Sequence, residues 1–355
     1  MAALIAVPAF AEDPAPPVEG VDATAPEKAE GPPECLPPAT PVITLGFGSR
    51  YKEDSKNRSD FDEASDAEVT AALKPIDEFI NDLARQTDYL LLADQSPNPS
   101  LTDLEDRLAA ANCVIDRIHD WAAADALSEL KSQGANLSAP SRVAGIAFAY
   151  AAVRDRVAAD PRIATIDTWL KARAAQSMTF FDTEAPPRAS QNNLRAWAGL
   201  AVTRVGLTLQ DPALIDWGAA SAELVACTAA PDGSLPNEMW RGKLALHYQL
   251  HAVGPLVVTA ALLHEARPGL FDICDRAIPR IVDFTVAALA DPTSVETITG
   301  KPQSVGGPDD PPRDFELAWT EAYLRFNPDP AVAALAAPAE KLGNSKLGGD
   351  QRLLW

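Results

Sequence analysis

The chain is predicted to be all-α, an α/α toroid built from antiparallel helical hairpins. Two observations make the chain helical. Ala and Leu dominate an apolar fraction of 47%, and the long apolar stretches recur at helical rather than alternating spacing. A third sets the topology. Prolines at 97, 99, 140, 161, 186, 187, 231 and 268 punctuate those stretches and leave only short connections. Short connections make neighbouring helices antiparallel. Successive hairpins that close on themselves form a toroid.

The elements follow in order. MAALIAVPAFA, residues 1–11, ends in the small-x-small pattern Ala9-Phe10-Ala11 and reads as the remnant of a secretory signal without its basic n-region. Residues 12–41 are rich in Pro, Ala, Glu and Gly. Such a segment buries too little apolar surface to offset its ordering entropy, so a mobile linker is expected there. One domain is expected over 42–355. Its polar segment 46–65, GFGSRYKEDSKNRSDFDEAS, is long for a loop inside a compact domain and reads as a lid over a cleft. Helices are expected near 66–91, 101–133, 139–158, 163–183, 190–208, 211–229, 240–266 and 269–289. A Pro/Gly-rich loop follows at 291–314, then short helices near 315–325 and 329–340.

Net charge is −20. A nucleic-acid partner is therefore not expected, because no broad basic surface is available to displace phosphate counterions. No apolar run reaches the length of a membrane span. Phosphate-loop, HExxH and GxSxG patterns are absent, and no cofactor is expected. Cys35, Cys113, Cys227 and Cys274 suit an oxidising compartment, with no CxxC spacing for zinc. A Cys35–Cys113 bridge would tie the N-terminal arm to a core helix, whereas Cys227 and Cys274 equally suit buried thiols. His247 and His251 stand at i, i+4 on one helix. That spacing serves helix packing or substrate contact as well as a metal, and no carboxylate motif accompanies it.

Arg241 and Tyr248 are seven positions apart in PDGSLPNEMWRGKLALHY. On a continuous helix they would stand about 20° from eclipse. That also suits an ordinary structural pair. Asn192 and Asn193 precede the periodic run LRAWAGLAVTRVGL, where either serves as a helix N-cap. Trp121, Trp197 and Trp240 suit sugar stacking or core packing alike.

These segments resemble the alginate lyases of polysaccharide lyase family 5. The resemblance is carried in order by FGSRYKEDSKNR, by Asn112 to Ala122, by QNNLRAWAGLAV, PDGSLPNEMWRGKLALHY and GPLVVTAALLHE, and by the tail KLGNSKLGGD. It implies an α/α toroid with a deep cleft and β-elimination in a uronate polymer. It makes Asn193 a neutraliser of the substrate carboxylate. Arg241 supports that charge and favours the phenolate of Tyr248. Tyr248 is the acid and, for some linkages, also the base. Arg50 matches a substrate-binding lysine. Lys52, Arg142, Arg195 and Lys243 are cleft candidates by charge alone, and His247, Arg195 or His251 are possible helpers. One position departs: Leu194 stands where the family has histidine, and leucine neither donates to a carboxylate nor accepts a proton. The expected partner is thus an acidic polysaccharide in the periplasm. A catalytically impaired polyuronate-binding protein is the alternative, and a hydrolase with paired carboxylates comes last.

Overall fold

The computed structural model describes residues 31–355. The expected signal remnant and the linker before residue 31 lie outside the described residues. From 31 to 41 the expectation of mobility is corrected. Gln86 Nε2 donates to the carbonyls of Pro33 (3.0 Å) and Glu34 (3.2 Å), and Trp121 Nε1 donates to Ala39 O at 3.1 Å. Cys35 is bonded to Cys113. The folded unit therefore begins before Val42, because buried donors need these carbonyls as partners.

Thirteen α-helices are described: α1 (Glu63–Asp94), α2 (Leu101–Ala123), α3 (Gln133–Val153), α4 (Ile163–Thr183), α5 (Asn193–Leu209), α6 (Pro212–Ala226), α7 (Pro236–Met239), α8 (Ala245–Leu262), α9 (Ile273–Ala290), α10 (Thr293–Thr299), α11 (Thr320–Leu324), α12 (Pro330–Ala336) and α13 (Gln351–Leu354). Strands β1 (Thr44–Leu45) and β2 (Glu129–Leu130) pair in parallel, and β3 (Gly343–Asn344) and β4 (Gly349–Asp350) pair antiparallel. The architecture is an α/α toroid. Helices α3, α5 and α8 are apolar around most of their circumference because neighbours cover them on several sides, whereas α1 and α2 each bury one stripe. Helix α5 packs against α3, α4, α6 and α8 and forms the centre of the fold.

Local chemistry sets the helix ends. Asn192, Asp211 and Asp329 cap α5, α6 and α12 through their side chains, and Ser100 with Asp103 forms a capping box on α2. The expected helix 101–133 stops at Ala123, because Asp125 and Leu127 take left-handed conformations that turn the chain into β2. The close crossing of α5 and α6 depends on Gly218, where a Cβ would lie 2.0 Å from Thr203 Oγ1. At the other end, Asp88 of α1 accepts from Asp350 N (2.8 Å) and Lys341 Nζ (3.0 Å). That clamp fixes the C-terminal β3–β4 hairpin against α1 and α3 and carries Lys346 inward.

Both cysteine pairs are bonded, Cys35–Cys113 and Cys227–Cys274, which resolves the second pair in favour of a bridge. The first spans a sequence separation of 78 residues, so it removes substantial loop entropy from the unfolded chain. Cys35→Ser is expected to lower unfolding free energy by about 2–4 kcal/mol, read from denaturant midpoints at constant m. No loss would mean that the N-terminal arm is held by its hydrogen bonds alone.

Candidate active site

The chain turns sharply between α7 and α8. Gly242 adopts φ +58°, a conformation open to glycine at little cost. A Cβ there would also lie 2.6 Å from Asn57 Nδ2. The expected continuous helix 240–266 is therefore corrected. Arg241 precedes a single 3-10 turn, Gly242–Leu244, and Tyr248 lies in the first turn of α8. The bend, rather than helical eclipse, brings the two side chains together. The Arg241 guanidinium carbon lies 3.6 Å from the Tyr248 ring centroid and 5.0 Å from that of Tyr51.

Tyr51 and Arg58 come from the expected lid. Residues 50–62 form a folded-back loop, with Lys52 N donating to Asp60 O (2.9 Å) and Asp62 N to Arg50 O (3.0 Å). It is seated over the site. The hydroxyls of Tyr51 and Tyr248 are hydrogen-bonded to each other. Arg241 donates to Arg58 O from Nε (3.2 Å) and from one terminal nitrogen (2.6 Å). Lys243 Nζ bonds Asp60 Oδ1 at 2.8 Å.

The expected phenolate on Tyr248 is not what this arrangement favours. Burial raises the phenol above its ordinary value, the Tyr51 hydroxyl raises it further, and the opposing Arg241 charge does not overcome them. Tyr248 is protonated here, the form a general acid needs.

Asn192 takes the capping role on α5, accepting from Leu194 N at 3.0 Å. Asn193 is left for a different partner. Its backbone N donates to Glu238 Oε1 (2.7 Å), and Nδ2 donates to both Glu238 oxygens (3.0 Å each). Its donor is thus turned to Glu238 instead of standing free for a substrate, and Oδ1 is buried without a hydrogen-bond partner. Glu238 is itself buried. Burial pushes its carboxyl up to about 7, although the Asn193 bonds and Arg241 oppose the rise.

A cavity of about 340 Å³ joins these groups. Arg50, Arg58, Arg142, Arg241 and Lys346 line it together with Tyr51, Asn193, Leu194, Trp197, His247, Tyr248 and His251, and its lining contains no carboxylate side chain. Two further cavities, of about 350 and 370 Å³, share different lining residues with it. One continues through Leu194, Arg188 and Trp240, the other through His251, Arg313 and Phe315. The result is an extended groove.

Most expected site residues meet here: Tyr248, Arg241, Asn193, Leu194, Arg50, Arg142 and His247. Lys52 does not. It is exposed on the lid, outside the cavity lining. Arg195 belongs to the packing: it is buried, donates to Ser221 Oγ and Asp182 Oδ1 (2.8 Å each) and covers the Trp217 ring. Lys243 is a lid anchor. Trp121 is fully buried and stacks on Phe79 at 4.1 Å, which makes it core. Tyr51, Arg58, Glu238 and Lys346 were not singled out from sequence. All four lie inside segments that carry the resemblance, Tyr51 and Arg58 in the lid segment, Glu238 in PDGSLPNEMWRGKLALHY and Lys346 in the tail, and that was their only signal. His247 and His251 stack nearly parallel at 6.3 Å, and no group of three metal-binding side chains exists among the described residues.

Glu238 makes stability depend on pH. The folded state holds its proton up to about 7, whereas the ordinary carboxyl value is 4.5. Between those values the folded chain binds more protons than the unfolded one, so stability is full below the lower value and falls as pH rises through the upper. The fall expected from this group is about 3 kcal/mol. Glu238→Gln should flatten it in denaturant titrations between pH 4.5 and 7.5; an unchanged slope would assign the proton elsewhere.

Comparison with known proteins places this geometry. The family model described as "Alginate lyase" matches residues 46–295. A polysaccharide lyase of Stenotrophomonas maltophilia is 29% identical over 326 residues, covering 90% of this chain and 89% of the relative. An alginate lyase of Pseudomonas syringae pv. syringae is 27% identical over 248 residues, covering 67% of this chain and 64% of its own. Among solved structures, alginate lyase A1-III of Sphingomonas species A1 superposes with a TM-score of 0.68 at 24% identity, covering 91% of this chain and 88% of that one. A variant of A1-III complexed with a tetrasaccharide gives a TM-score of 0.71 at 24% identity, covering 91% and 87%. The chain belongs to the alginate lyase family of polysaccharide lyases.

Proposed function

We propose that this polysaccharide lyase cleaves a uronate-containing polymer, alginate or a related acidic exopolysaccharide, by β-elimination in the periplasm. One observation carries the substrate class. In a chain of net charge −20, five cations and no carboxylate line the cavity around the Tyr248 hydroxyl. Such segregation concentrates positive potential where a polyanion would lie. Two disulfides support export to an oxidising compartment.

The chemistry follows from the groups present. A C5 proton beside a uronate carboxylate becomes acidic enough to remove only when that carboxylate is neutralised, and the guanidinium groups of the groove supply the charge. The departing O4 needs a proton, and Tyr248 holds one. For the transfer the glycosidic oxygen replaces Tyr51 as partner of the Tyr248 hydroxyl, so the lid loop has to yield to the polymer. Hydrolysis would need paired carboxylates facing the groove, and the central cavity presents none. Leu194 is the observation behind the alternative, a polyuronate-binding protein without turnover.

The test uses a panel of uronic-acid polymers and absorbance near about 235 nm, where the unsaturated end formed by elimination absorbs. Absorbance is expected to rise, and Tyr248→Phe should lower the rate at least about 10²-fold with binding retained. Tight binding without product across the panel would replace the lyase reading with the binding one. Undiminished turnover in Tyr248→Phe would remove the phenol from the mechanism.

A further inference from the structure

Leu194 leaves the α5 wall of the groove without a proton acceptor, and its side chain packs against the small apolar cluster of Phe180, Phe181 and Ala198. The acceptor has to come from another element. Among the groups that line the central cavity, the guanidinium and ammonium groups hold their protons. The phenols of Tyr51 and Tyr248 are engaged with each other through their hydroxyls, and that of Tyr248 holds its proton. The imidazoles of His247 and His251 remain.

The two differ. His247 is next to Tyr248 in sequence and so rotated about 100° from it around α8, and its Nδ1 lies 3.7 Å from Glu316 Oε1. His251 follows Tyr248 by three positions, one turn along the same face. Its ring centroid is 6.3 Å from that of Tyr248 and 5.3 Å from that of Trp197. Trp197 in turn follows Leu194 by three positions on α5. His251 therefore faces the groove beside the vacated position. It lines both the central cavity and the one that continues toward Arg313. No hydrogen bond to a described residue engages its ring.

We propose that His251 is the general base of this enzyme, performing from the α8 wall a proton abstraction that Leu194 cannot perform from α5. This rests on the lyase reading and assigns its missing group. In the step, a ring nitrogen of His251 removes the C5 proton. The C5–H electrons rest first on the neutralised carboxylate as an enolate, and they then form the C4=C5 double bond as the C4–O4 bond breaks and O4 takes the Tyr248 proton. The imidazolium then loses its proton to water and the tyrosinate regains one.

The surroundings of His251 support a neutral ring. His247 and Tyr248 lie beside it on α8, and Trp197 of α5 covers one side. Arg142 of α3, Arg241 of the α7–α8 turn and Lys346 of the C-terminal segment add positive charge. Burial first, and then these charges, hold the ring down to about 3, so its lone pair is free throughout neutral pH. An arriving uronate carboxylate offsets those charges and makes the ring more basic as the substrate binds.

The experiment separates proton removal from bond cleavage. A uronate polymer turned over by the unaltered enzyme is incubated in D2O with Tyr248→Phe, with His251→Gln, and with the double variant. Deuterium at C5 of the recovered polymer is then measured by mass spectrometry. Tyr248→Phe, which lacks the acid, should cleave poorly yet still exchange C5 deuterium. The double variant should exchange none. His251→Gln should lower kcat at least about 10²-fold, while KM and thermal midpoint stay near those of the unaltered protein. Two results overturn the assignment: exchange abolished in Tyr248→Phe while His251 is intact, which makes the phenol the base, or kcat in His251→Gln within threefold of the unaltered enzyme. Absence of product from the unaltered protein on every polymer would instead strike the lyase reading, so the two failures are distinguishable.

Discussion

A guanidinium laid on the face of a phenol organises this molecule. Arg241 stands 3.6 Å from the Tyr248 ring centroid, a contact that pairs a delocalised cation with the negative face of the ring. Its donors are held by the Arg58 carbonyl of the lid loop, and its charge also reaches Glu238. Helix α8, the lid and the α7 turn thus converge on one side chain. The geometry exists because Gly242 allows the chain to reverse there. A residue with a Cβ would push against Asn57 of the lid and displace the contact that positions the phenol.

Charge distribution gives this contact its functional sense. A chain of net charge −20 is expected to repel an anionic polymer over most of its surface. The groove escapes because its cations come from distant parts of the sequence. Arg50 and Arg58 belong to the lid, Arg142 to α3, Arg241 to the α7 turn and Lys346 to the C-terminal segment. Some are partly compensated outside the cavity. Arg142 forms a two-point pair with Asp77, at 3.0 and 2.9 Å, and Lys346 lies 3.5 Å from the same carboxylate. Asp77 does not line the central cavity, so it orients these cations without placing negative charge in the sugar's path. The Asp88 clamp on β4 belongs to the same design, since it fixes the hairpin that delivers Lys346.

The hairpins were legible in the sequence because helical periodicity and proline are local signals. The loop was legible because a long polar segment between periodic stretches is also a local signal, and its residues Tyr51 and Arg58 reach Tyr248 and Arg241. What local reading could not supply was direction. Arg241 and Tyr248 were correctly joined on the wrong geometry, since a spacing of seven looks like a helix face whether or not Gly242 breaks it. Asn193 was identified, but its donor is turned to a buried glutamate 45 positions away. Nothing in PNEMWRG distinguishes Glu238 from an exposed acidic residue. Lys52 and Arg195 show the opposite error: positive charge near a motif does not say whether the side chain reaches a groove, solvent or a core partner.

Leu194 shows why a lost motif residue need not empty a site. Its leucine is packed against Phe180, Phe181 and Ala198, so the wall of α5 there is apolar. An apolar wall lowers the local dielectric and strengthens the charge interactions beside it, including those of Arg241 with an arriving carboxylate. It also raises the phenol, because burial penalises the phenolate. The second effect outweighs the Arg241 charge, which opposes it, and keeps Tyr248 in the protonated form of a donor instead of the ionised form of an acceptor. Once the phenol is committed to the acid role, elimination requires a separate acceptor, and among the groove-lining groups a neutral ring on α8 is the chemistry available for it.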